Sequence, residues 1–136
     1  KNFSIQSLKK KPIFKIYGIN YPTKDGSCIR DFIHVTDIAI IHKKVLEKID
    51  KKNKSIILNC GYGKGNSVKQ VVKEFIKYSN NNFRIIHRPR RKGDLIKIIA
   101  LTKKLKKFIS WKPKYDKLQL MVKSSIRWEK ISKNSK

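Results

Sequence analysis

Strand-length apolar runs alternate with helical apolar stripes from one end of this sequence to the other, and that alternation sets the fold class as mixed α/β. Ile13-Phe14-Lys15-Ile16-Tyr17 reads as a strand closed by Gly18, and residues 29–35 read as a second short strand. Ile56-Ile57-Leu58 has the look of a buried strand, and residues 83–87 form a fourth. Between these lie the helices. Residues 3–10 make a short, weakly amphipathic one ended by Pro12. Thr36 or Asp37 caps the next, with Ile38, Ile41, Val45, Leu46 and Ile49 at helical spacing. Ser67 and Gln70 fit a capping box ahead of the stripe Val68, Val71, Val72, Phe75 and Ile76, which Asn80-Asn81-Asn82 breaks. Thr102 caps a short helix to Phe108. After Pro113, Asp116 caps a last helix that buries Leu118, Met121, Val122, Ser125 and Ile126, and residues 132–136 fray. Residues 20–26 and 51–55 are polar connections. No repeat and no long linker divides residues 1–136, so one domain is expected.

Charge is the second constraint. Thirty-five Lys and Arg face nine Asp and Glu, a formal charge of +26. Such an excess points first to disorder or to a nucleic-acid partner. Its distribution argues against both, because 29 lysines are spread along the whole chain among apolar residues. A basic nucleic-acid module should instead cluster Arg with aromatic residues on one face, so a nucleic-acid partner is not expected.

Other classes fall quickly. The longest apolar run, near Ile38-Ala39-Ile40-Ile41, stops at His42-Lys43-Lys44, far short of the roughly 20 residues of a membrane span. Residues 1–11 lack the apolar core of a signal peptide. Cys28 and Cys60 cannot form a disulfide framework, and reduced thiols in a cytoplasm are the expectation. His34, His42 and His87 show no metal-binding spacing, and no metal is expected. The chain opens on Lys1 and its single methionine is Met121, so it is expected to be a piece of something longer.

Two motifs invite chemistry. Gly61-Tyr62-Gly63-Lys64-Gly65 lies between a strand and a helix, where a phosphate cradle would sit, but its spacing fits neither a dinucleotide fingerprint nor a P-loop. It reads as a structural turn. The loop Arg88-Pro89-Arg90-Arg91-Lys92-Gly93-Asp94 is different. Four of the six arginines fall between Arg84 and Arg91, and a guanidinium matches phosphate oxygens in pairs where lysine is a point charge. Phosphate binding and a solvated basic loop both remain open from these residues alone. Arg30 stands beside a second turn, with an ion pair to Asp31 or Asp37 as its plainer role.

The run KIYGINYPTKDGSCIRDFIHVTDIA resembles the signature of the UDP-glucose (UDP-galactose) 4-epimerases, members of the extended short-chain dehydrogenase/reductase superfamily. LNCGYGKGNSVKQVV, RPRRKGDL and WKPKYD follow in that family's order, covering the chain from about Ile13 onward. The resemblance implies the C-terminal, UDP-sugar-binding part of a Rossmann-type fold, without the N-terminal Rossmann half. NAD would be bound by that half, and no catalytic residue is assigned in this chain, where no Tyr is followed four places later by Lys.

By the same resemblance Arg30 and Arg91 bind the UDP diphosphate and Asp94 the ribose. The backbone of Lys15, Ile16 and Tyr17 holds the uracil, Ile98 borders the sugar, and Asn2 is a further substrate contact. Two departures stand out: Leu101 replaces a usual acidic residue, and Phe32 a usual Tyr. The full enzyme is expected to be a cytoplasmic, NAD-dependent homodimer acting on a UDP-sugar. A basic nucleic-acid module and a non-catalytic sugar-nucleotide-binding remnant are the alternatives.

Overall fold

The computed structural model describes residues 2–49, 55–79, 81 and 83–134. Helix α1 (Asn2–Ser7) leads into strand β1 (Ile13–Tyr17), which pairs in parallel with β4 (Arg84–Arg88) over five register pairs from Ile13↔Arg84 to Tyr17↔Arg88. A second sheet joins β2 (Ile29–Arg30) antiparallel to β3 (Asn66–Ser67) and parallel to β5 (Lys97–Ile98). Helices α2 (Val35–Lys48), α3 (Val68–Ser79), α4 (Lys103–Phe108) and α5 (Leu118–Asn134) complete the chain.

Alternation along β1 sends Phe14 and Ile16 inward, where they meet Val71, Val72 and Phe75 of α3 and Val122 and Ile126 of α5. Phe14 is the hub. It stacks on Phe83 at 4.3 Å and meets Phe3 edge-on at 5.0 Å, tying α1, β1 and the approach to β4 into one cluster. A second cluster gathers Ile41 of α2, Leu105 of α4 and Ile109, with Leu58, Cys60 and Trp111 packed on it.

Several boundaries differ from the sequence expectation. Helix α1 stops at Ser7, whose hydroxyl donates back to the Ser4 carbonyl at 2.6 Å, and Lys11 is held from helical geometry by Pro12. The second strand ends at Arg30, because Asp31 turns toward the glycine loop and His34 already caps α2. His34 Nδ1 accepts from Thr36 N at 3.1 Å, so the cap is His34 and not Thr36 or Asp37. Residues 56–58 form no strand and pair with none among the described residues; Leu58 packs on the second cluster while Ile57 faces solvent. On α3 the buried stripe is Val71, Val72 and Phe75, with Ile76 outside it.

Thr102 precedes α4 without a side-chain cap bond, and Asp116 pairs with Lys64 Nζ at 2.8 Å. Helix α5 continues through residues 132–134 instead of fraying. Residues 51–54, Asn80, Asn82, Ser135 and Lys136 of the expected connections lie outside the described residues. Of the asparagine run, Asn81 donates through Nδ2 to Ser7 O at 2.8 Å. Among the described residues, no helix is long and apolar enough to cross a membrane.

Candidate functional site

Parallel pairing of β2 with β5 sets Arg30 beside Ile98, with Ile29 N bonded to Ile96 O at 2.9 Å and Asp31 N to Ile98 O at 3.0 Å. From that position the Arg30 guanidinium reaches the end of the arginine loop. Nη1 donates to Ile29 O at 2.8 Å and to Leu95 O at 2.9 Å, and Nη2 approaches Asp94 Oδ1 at 3.4 Å. Three of the five guanidinium N–H groups are thereby engaged, leaving Nε and one Nη2 proton for a ligand.

Asp94 belongs to a turn in which its own N–H bonds Arg91 O at 3.2 Å and Gly93 adopts φ 82°, a backbone conformation that suits glycine. Arg91 at the head of this turn lays its guanidinium over the Tyr17 ring, 3.8 Å from the centroid. Tyr17, Arg30, Arg91, Asp94 and Ile98 are therefore linked through one turn and one short strand pair. The ion pair of Arg30 is with Asp94, 64 residues away, and not with Asp31 or Asp37.

The remaining expected residues take other places. Lys15 is exposed on β1, and the Ile16 side chain is buried in the core, so the backbone is what Ile16 can offer a ligand. Asn2 opens α1, and its side chain lies outside the described residues. At the carboxyl ends of β1 and β4 a depression of about 640 Å³ is lined by Gly18, Ile19, Asn20, His87, Arg88, Pro89 and Arg90. It adjoins Tyr17 and Arg91 along the chain.

Sequence reasoning missed one device here. Arg90 stacks over the buried Tyr21 ring at 4.1 Å and donates through Nε to Asn20 Oδ1 at 2.8 Å and through Nη2 to Asn20 O, which fixes the start of the loop. The clue was present in four neighbouring arginines following a loop that carries Asn20 and Tyr21.

The glycine turn has its anion already. Asp31 Oδ1 accepts from Tyr62 N at 3.1 Å, while Oδ2 accepts from Gly63 N at 2.9 Å and from Ala100 N at 3.3 Å. These amides are thus not aimed at a dinucleotide pyrophosphate.

Behind the turn, Asp37 is fully buried and accepts from Tyr62 Oη at 2.7 Å and Tyr115 N at 2.9 Å. Burial together with this bond to Asp37 pushes the Tyr62 phenol well above its ordinary range. His34 Nε2 lies 2.8 Å from Ser124 Oγ and its ring stacks on Tyr115, so His34 ties the start of α2 to α5. His42 bonds Ile38 O of its own helix at 2.8 Å. Burial raises the Cys60 thiol, which makes it less reactive, and Cys28 is a buried free thiol. Among the described residues no group of His, Cys, Asp and Glu could hold a metal ion.

Comparison with known proteins places this geometry. Residues 4–61 match the model of the NAD dependent epimerase/dehydratase family. The UDP-glucose 4-epimerase of Azospirillum brasilense is 36% identical over 128 residues, covering 94% of this chain and 37% of that protein. The structure of the UDP-Glc/GlcNAc 4-epimerase from Campylobacter jejuni matches with a TM-score of 0.84 and 43% identity over 95% of this chain and 39% of the other. A Bifidobacterium longum UDP-glucose 4-epimerase, solved in complex with NAD+ and UDP, matches with a TM-score of 0.81 and 33% identity over 98% and 38%. The chain spans about two fifths of these relatives and corresponds to their C-terminal part.

Proposed function

We propose, since residues 4–61 match the NAD dependent epimerase/dehydratase family, that the chain is the UDP-binding part of a UDP-glucose 4-epimerase, an isomerase interconverting UDP-glucose and UDP-galactose. The observation that carries this reading is the meeting of Arg30 with the Arg91–Asp94 turn. A diphosphate spreads its negative charge over several oxygens, and two guanidinium forks held from different segments can grip it from both sides. On this reading Arg30 and Arg91 hold the diphosphate. Asp94 keeps the Arg30 fork oriented and accepts from a ribose hydroxyl. The end of β1 at Tyr17 carries the uracil, Ile98 borders the sugar, and Asn2 is a further substrate contact.

The reaction of such an enzyme depends on a redox exchange with NAD. The amides of the glycine turn are already taken by Asp31, which supports placing NAD on the part of the relatives that this chain does not span. This chain then contributes binding and orientation, and alone it turns over no substrate. A cytoplasmic homodimer is the setting we propose for the full enzyme, and the two free thiols accord with the compartment.

Calorimetric titration tests the binding. UDP should bind more tightly than UMP, because removing one phosphate leaves a guanidinium without its partner. Absence of UDP binding, or equal affinity for the two nucleotides, would overturn the reading. UDP-galactose with added NAD should remain unconverted by the chain alone, and turnover above a protein-free blank would refute the assignment of the chemistry elsewhere.

A further inference from the structure

We propose that Asp31 is a positioning residue for the nucleotide site, acting through Arg30 and the β2–β5 register, and that the glycine turn exists to receive its carboxylate. Arg30 and Asp31 are consecutive at the end of a strand, so their side chains leave on opposite sides. Arg30 faces the Asp94 turn. Asp31 faces the other way and gathers three backbone N–H groups from two distant segments, Tyr62 and Gly63 of the glycine turn and Ala100 beyond β5.

The strand pair it braces is weak by itself. β2 and β5 share two register pairs, Ile29↔Lys97 and Arg30↔Ile98, and so short a ladder does not hold its alignment unaided. A carboxylate accepting from Ala100 N, next to a main-chain bond from Asp31 N to Ile98 O, fastens the end of β5 to the end of β2. Arg30 depends on that alignment, because its Nη1 bond goes to Leu95 O, just before β5. A slip of one residue would move Leu95 O, Asp94 and Ile98 together away from the guanidinium.

Gly61 supports the same conclusion. A Cβ there would stand 2.5 Å from Asp31 Oδ2 and 2.5 Å from Ala100 Cβ, so glycine leaves room for the carboxylate and for the strand it holds. Charge-assisted bonds to a carboxylate are shorter and stronger than neutral ones, which suits a clamp that must be stiff. A binding group must be held to within about half an ångström by its supporting residues, and Asp31 supplies that support to Arg30.

The nucleotide arm of the test rests on the proposed UDP site, and a second readout does not. Titrate the chain and its Asp31→Asn, Arg30→Lys and double variants with UDP and with uridine. Asp31→Asn should weaken UDP about tenfold and leave uridine within about twofold. In the double variant the extra loss from Asp31→Asn should fall below about twofold, because its effect passes through Arg30. Equal losses for uridine and UDP would assign Asp31 to general stability and overturn the proposal.

Amide hydrogen exchange gives the independent readout. In Asp31→Asn the Ile29 and residue-31 amides should lose protection while the Gly18 amide, bonded to Arg88 O in the other sheet, keeps its own. That selective loss without any UDP binding by the parent chain would retain the positioning role and discard the nucleotide site. Unchanged protection at Ile29 would discard the positioning role. Gly61→Ala, which displaces the carboxylate while keeping its charge, should reproduce the pattern. If both variants are unfolded, Asp31 is a stability residue and the proposal fails.

Discussion

The guanidinium carbon of Arg91 lies 3.8 Å from the centroid of the Tyr17 ring. Arg91 is exposed and sits in a loop, so this contact is what narrows the directions its fork can take. A cation over an aromatic face contributes about 0.5–1 kcal/mol at exposed sites. Tyr17→Leu should therefore weaken UDP binding roughly two- to fivefold, while Tyr17→Phe, which keeps the ring face, stays near the parent value. Calorimetry on the three proteins checks this. Equal losses for Phe and Leu would transfer the role from the ring to the phenol oxygen.

Arg30→Lys and Arg91→Lys should each weaken UDP binding about ten- to a hundredfold, because lysine cannot reproduce a two-pronged grip on phosphate. Lys92→Ala, in the same loop, should change it by less than twofold. Arg30→Lys should also lower the melting temperature more than Arg91→Lys, since Arg30 alone of the pair bonds the carbonyls of Ile29 and Leu95. Retained UDP affinity in both lysine variants would end the diphosphate assignment.

Tyr62→Phe should destabilise the chain by about 1–3 kcal/mol, seen as a lower urea midpoint with an unchanged slope. The lost hydroxyl donates to the fully buried Asp37 at 2.7 Å and accepts from His34 N at 3.2 Å, so both partners are left short of a bond. A midpoint equal to that of the parent would mean that another group replaces the hydroxyl.

Stability should fall as acid protonates Asp25. Burial alone would raise its pKa, but bonds from the Ser67 hydroxyl, Ser27 N and the Ser27 hydroxyl, with the Lys69 charge nearby, hold it below the usual 3.8. A depressed carboxylate contributes stability that is complete above its unfolded value and is lost as pH falls through the folded one. Thermal melts of Asp25→Asn should therefore show a lower melting temperature than the parent at pH 6 and a smaller gap at pH 3. A gap that widens in acid would reverse the sign.

Much of the architecture could be read from local pattern. β1 occupies the residues its alternation indicated, and the α3 stripe buries Val71, Val72 and Phe75 as helical spacing required. These elements form because one face of a strand or helix is apolar over its own length, and that information is local. The arginine loop was legible for the same reason: Arg among so many lysines is a chemical choice visible without a fold.

Tertiary structure decided which arginine faces which acid. From spacing alone Arg30 had Asp31 beside it and Asp37 seven residues on, yet it pairs with Asp94, while Asp31 holds the glycine turn and Asp37 binds Tyr62 and Tyr115. A strand sends neighbouring side chains to opposite faces, so adjacency in sequence separates Arg30 from Asp31 in space. The short strands followed the same logic. Residues 56–58 are as apolar as a strand should be, but a ladder needs a partner edge, and only the assembled sheets determine where one exists. The composition and periodicity of this chain determined its elements and its cationic character, and long-range backbone pairing decided where the charges meet.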